Sequence, residues 1–98
     1  MSDKLGSHQY YKNYIKGQFI VEFNIFQLRN VKDYPNNIKY RLICTDIRNN
    51  RKILFDNHKP KGHHYHIDEK EYLYNFISEI KLIDDFKQLV LEHFGVIL

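Results

Sequence analysis

Gln18-Phe19-Ile20-Val21-Glu22-Phe23-Asn24-Ile25-Phe26-Gln27-Leu28 decides the architecture, because its apolar side chains dominate one set of alternate positions. A strand turns successive side chains to opposite faces. Phe19, Val21, Phe23 and Ile25 therefore share one side, with Glu22 and Asn24 on the other. The same period returns in residues 38–46, where Ile38, Tyr40, Leu42 and Cys44 face together and Lys39 and Arg41 face away. Between these strands lies a polar connection with Asp33, Pro35, Asn36 and Asn37 as turn formers. Arg48-Asn49-Asn50 reads as a hairpin turn, since Asn tolerates positive φ, and residues 51–56 return as a fourth strand. Upstream, Tyr10, Tyr11, Tyr14 and Ile15 form a first strand that ends at Lys16-Gly17. Downstream, residues 57–62 are a loop, residues 63–68 a fifth strand, and residues 72–76 one more extended segment.

The periodicity changes near the C-terminus. Leu82, Ile83, Phe86, Leu89, Val90 and Phe94 recur at helical spacing. Ser78 is placed to cap that helix, Ile77 and Leu82 hold the hydrophobic-staple positions, and Gly95 is a natural stop. The pattern predicts an α+β fold: an antiparallel β-meander sheet of about five strands covered by a C-terminal helix.

A chain of 98 residues fits a single domain, with residues 1–8 expected to be flexible. Eight Tyr and seven Phe supply the buried area that so small a core needs. No apolar run is long enough for a membrane helix, and Met1-Ser2-Asp3-Lys4-Leu5-Gly6 has no apolar leader, so a cytoplasmic protein is expected. Cys44 is the one cysteine, which excludes an intramolecular disulfide, and its place in an apolar strand face makes it a core residue.

Charge is unevenly spread. Residues 39–61 carry seven Lys/Arg against two Asp/Glu, whereas residues 62–98 carry three Lys against seven carboxylates. A basic middle of this kind suits a polyanion such as nucleic acid, and Lys39, Arg51, Lys52 and Lys59 are the candidate phosphate contacts. An ordinary solvated surface is the plain alternative.

Four of the six histidines, His58, His63, His64 and His66, lie within nine residues. On an extended chain His64 and His66 project together, while His63 and Tyr65 face the opposite way. Two imidazoles beside Lys61 can exchange protons near neutral pH. That is what metal-independent RNA cleavage requires: a base for the 2′-OH, an acid for the leaving 5′ oxygen, and cations for the phosphorane. His64 and His66 are the candidate acid and base, Lys61 and Arg41 the cations, and Asp56 the group that orients a histidine. Asn57 and Tyr65 are candidate RNA contacts. A second possibility is a His-x-His metal site formed by His64 and His66 with His58 or Asp68. A third is an exposed polar loop without chemistry. No cofactor is expected under the first. Tyr40, Tyr72 and Tyr74 read as structural, and His93 as a partner of the helix dipole.

Taken together, Lys39-Tyr40-Arg41-Leu42, Phe55-Asp56-Asn57, Lys61-Gly62-x-His64-x-His66 and Asp85-Phe86 resemble the TumE-like family of bacterial toxin–antitoxin toxins. The likeness runs from about Phe19 to Phe94. It implies the toxin of a two-gene module, acting as a ribonuclease and neutralised by a small antitoxin protein encoded beside it. The matched positions are Arg41, Asp56, Asn57, Lys61, Gly62, His64 and His66. Phe55 stands where the family has Tyr, and His63 where it has an acid, which makes the loop more cationic. The expected partners are RNA and the antitoxin. A homodimer through the unprotected sheet edges is compatible with the pattern.

Overall fold

The alternating segments assemble into one antiparallel sheet in the computed structural model, which describes residues 5–29, 32–34 and 36–98. Its strands are β1 (Leu5–Ile15), β2 (Phe19–Leu28), β3 (Ile38–Asp46), β4 (Arg51–Asp56), β5 (His64–Ile67) and β6 (Lys70–Leu73), and α1 (Glu79–Phe94) follows. Spatial order equals chain order, so every strand pairs with its sequence neighbour. The α+β meander is as expected, but among the described residues there are six strands, not about five.

The differences lie at the two edges. β1 reaches back to Leu5, although Ser7, His8 and Gln9 give it no apolar face there. Of residues 1–8, residues 1–4 lie outside the described ones, as does the turn former Pro35. β6 occupies Lys70–Leu73 instead of residues 72–76, and all four of its residues are exposed. An edge strand exposed on both faces leaves no hydrophobic period to read.

One sheet face carries the core. Val21, Leu42, Cys44 and Ile53 are fully buried there against Leu82, Phe86 and Val90 of α1. The Phe86 ring meets Phe23 and Phe55 edge-on, with centroids 5.4 and 5.8 Å away. Burial pushes the Cys44 thiol up to about 11, so it stays protonated as a core side chain.

The helix ends are built as the sequence indicates. Ser78 Oγ accepts from the Lys81 N–H, Glu79 sits in the first turn, and the Gly95 N–H donates to the Leu91 carbonyl at a left-handed φ of 70°. The expected staple is absent: Ile77 is 66% exposed, while Leu82 points into the core. The Gln27 amide donating to the Glu79 carboxylate ties the start of α1 to β2 instead. Ser78→Ala should therefore lower unfolding free energy by about 1 kcal/mol, as measured by urea denaturation.

Among the described residues no helix covers the second face of the sheet. Strand register lines up Tyr10, Asn24, Arg41, Asp56 and His64 across it in one row. The adjacent row runs Lys12, Glu22, Ile43, Leu54, His66 and Glu71.

Candidate active site

Pairing of β4 with β5 sets Asp56 opposite His64 and Leu54 opposite His66, which brings both imidazoles to the uncovered face. The loop between these strands is fixed at each end. At its start Asn57 turns inward and is buried; its Oδ1 accepts from the Tyr40 N–H at 2.9 Å and its Nδ2 donates to the Ile38 carbonyl at 2.8 Å. At its end Gly62 adopts a φ of 78°, a conformation in which a Cβ is strained. That turn aims the Gly62 carbonyl at His64 Nδ1, 2.8 Å away.

His64 is nearly enclosed, with a side chain 5% exposed and Nε2 3.1 Å from Asp56 Oδ1. Both of its ring nitrogens are thus engaged, one by the Gly62 carbonyl and the other by the Asp56 carboxylate. The Asp56 carboxylate also accepts from the His58 N–H at 3.1 Å. His66 is more open, with a side chain 20% exposed and Nε2 3.8 Å from Glu71 Oε1, beyond direct hydrogen-bond range. Its ring lies 5.1 Å from that of His64 at a steep angle. Lys61 Nζ donates to Glu71 Oε1 at 2.8 Å. That bond holds the Glu71 carboxyl below its usual range and raises Lys61.

Asp56, Lys61, His64 and His66 come together, with His58 and Lys59, around a cleft of about 290 Å³. Lys39 and Arg41 line an adjoining hollow of about 350 Å³ that shares Asp56 and His58 with it. Arg41, on β3, is therefore two strands away from the imidazoles on β5, with Asp56 of β4 between them, and is exposed. Among the described residues neither Lys39 nor Arg41 has an ion-pair partner.

Other sequence candidates lie elsewhere. Arg51 points to the covered side, where it pairs with Asp68 at 3.0 Å and stands over the Phe94 ring. Lys59 pairs with Asp33 at 2.9 Å. Lys52 shares the open face but sits two residues along β4 from Leu54, outside the cleft lining. Tyr65 occupies the covered face, stacked between Phe55 and Tyr72. Asn57 is consumed by β3. The basic excess of the middle segment is thus partly neutralised by Asp33, Asp68 and Glu71, all remote in sequence.

His63 is also on the covered side, stacked on Tyr40 and Phe76. Its Nδ1 lies 2.9 Å from the Tyr40 hydroxyl and its Nε2 2.8 Å from Asn36 Oδ1. The neutral ring fits: Tyr40 donates to Nδ1 and Nε2–H donates to Asn36. Burial, followed by the neighbouring His64 charge, lowers its pKa. The unfolded chain takes up this proton near pH 6.5, the folded one only at lower pH. Stability should hold above about pH 6.5 and fall as pH drops from there through the folded value. His63→Phe should flatten that dependence in urea titrations of the two proteins at about pH 7.5 and 5.5.

Glu71 is the site residue that sequence reasoning missed. His66 faces it only because β5 and β6 pair in this register. It also alters the donor set available to a cation. Donor atoms of His64, His66 and Glu71 lie within 4.8 Å of one another, whereas neither His58 nor Asp68, expected as a third ligand, is in that group. Ligation would require His64 to release Asp56 or Gly62, and Glu71 to share its carboxylate with Lys61.

Among the described residues no helix is long and apolar enough to cross a membrane. Neither a curated protein nor a solved structure gave a match. A family model described as Toxin TumE matches residues 4–93. The match spans nearly the whole chain, and the motif residues Asp56, Lys61, His64 and His66 meet at one cleft. This chain belongs to the Toxin TumE family.

Proposed function

We propose that this toxin arrests growth by cutting RNA in the cytoplasm without a metal, through attack of a 2′-hydroxyl on the adjacent phosphate. The observation that carries this reading is the convergence of Lys61, His64 and His66 on one open cleft that adjoins the hollow lined by Arg41. His66, the more accessible of the two strand imidazoles, takes the 2′ proton. His58, exposed on the same cleft, returns a proton to the leaving 5′ oxygen. The products are a 2′,3′-cyclic phosphate and a 5′-hydroxyl. His64, tied through both nitrogens, is held rigidly in the floor of the cleft, and Lys61 and Arg41 stabilise the extra charge of the phosphorane. Asp56 sets the orientation of His64. Family membership suggests a small antitoxin as protein partner, neutralising the toxin by covering this cleft.

A second reading has one observation in its favour, the His64–His66–Glu71 donor set, which suits a divalent transition metal. The two separate cleanly. Purified protein incubated with RNA in excess EDTA should yield fragments with cyclic phosphate ends at the rate seen without chelator. Fragments that disappear in EDTA and return with added metal would replace the first reading by the second. RNA left intact under both conditions would remove both, leaving nucleic-acid binding without turnover.

A further inference from the structure

The half of the uncovered face farthest from the cleft carries side chains that the chemistry above does not use. Tyr10 is 56% exposed and Tyr14 62% exposed, with Lys12 between them on the same side of β1. Tyr10 and Tyr14, four residues apart on one strand, are separated by about 13 Å, with Lys12 midway. The Lys12 ammonium sits over the Tyr14 ring, 5.6 Å from its centre. On β2 the Phe26 ring lies under His8, with centroids 4.1 Å apart and planes 7° from parallel. This surface is continuous with the candidate site. The row from Tyr10 passes through Asn24 and Arg41 to Asp56 and His64. Four strand spacings of about 4.8 Å separate its ends, roughly 19 Å in all. Among the described residues Lys12, Lys39 and Arg41 have no ion-pair partner. Glu22, opposite Lys12, accepts from the Tyr10 hydroxyl at 3.0 Å, and Asp56 lies farther along the row, so the path carries these three cations against two carboxylates.

Exposed rings spaced along a sheet and interleaved with unpaired cations match the two faces of single-stranded nucleic acid: bases that stack, and phosphates that need counter-charge. A duplex hides its base faces and would engage only the cations. We propose that the uncovered face of β1–β3 is a stacking platform for single-stranded RNA, with Tyr10 and Tyr14 each holding a base and Lys12 and Arg41 meeting the phosphates that lead to the cleft. This rests on the RNA-cleavage reading and extends it from the scissile bond to the flanking nucleotides.

The test is binding of a fluorescein-labelled, unstructured 12-nucleotide RNA to the full chain, read by anisotropy with His66→Ala in every protein to prevent cutting. Tyr10→Ala and Tyr14→Ala should each weaken binding about tenfold. Tyr10→Phe and Tyr14→Phe, which keep the ring, should retain affinity, and circular dichroism should report the same fold throughout. A duplex of the same sequence should be bound more weakly and be insensitive to both tyrosines. Unchanged single-strand affinity in both alanine variants overturns the platform, and if the protein with His66 intact still cuts RNA, the cleavage reading survives alone. Absence of both binding and cutting overturns the two together. A dimer that dissociates in the alanine variants, with RNA affinity unchanged, would assign this face to a second copy of the chain.

Discussion

His66→Ala should lower RNA cleavage by about 10²–10⁴-fold and relieve growth arrest when the variant is expressed without its antitoxin. The range is that of a single acid–base group. It applies because His66 is accessible in the cleft and has no short hydrogen bond to give up. The fold should be almost unaffected, with unfolding free energy within about 0.5 kcal/mol of the parent. His64→Ala provides the contrast. It leaves Asp56 and the Gly62 carbonyl without their enclosed partner, so it should cost about 1–3 kcal/mol of stability in addition to activity. Gel assays of a defined RNA and urea titrations of both variants separate the two effects. Full cleavage by the His66 variant would end the acid–base account.

The second large effect is structural. Phe86→Ala should destabilise the protein by about 3–5 kcal/mol, since it removes a fully enclosed ring that two other phenylalanines meet edge-on. A domain of this size has about 5–15 kcal/mol in hand, so a large part of its stability would be lost, and the melting temperature should fall by more than about 15 °C. The damage should centre on the contact between α1 and the sheet. Tyr74 also reaches that contact, donating to Asp85 Oδ2 at 2.7 Å from the segment that leads into the helix. The Asp85-Phe86 pair is thereby accounted for: one residue secures the connection to the sheet, the next fills the core.

Much of this fold can be read from the chain because burial on one face imposes a period. β3 and β4 coincide with the segments expected from alternation and turn chemistry, and α1 starts and stops at Ser78 and Gly95. Legibility fails where side chains do not report burial. Lys70–Leu73 is exposed throughout, and the early part of β1 is polar, so their pairing follows from backbone bonds that composition does not record. The site divides in the same way. That His64 and His66 share a face follows from parity within one strand. That Glu71 faces His66, or that Arg51 and Lys59 are matched by Asp68 and Asp33, depends on which distant residues the register and loops bring near. Counting charges located the basic segment but not which of its cations remain unmatched.

The Asn57 side chain turns its carbonyl and one of its two N–H donors to β3, and there it takes up the main-chain groups that the next residues of β4 would have met. The strand therefore gains one rung without spending a rung of backbone on it, and the chain itself can turn away toward Lys61. Aspartate has the same shape but presents oxygen where the Ile38 carbonyl needs a hydrogen, so that substitution would set two acceptors against each other at a place water does not reach. A single carboxamide thus closes off the end of β4.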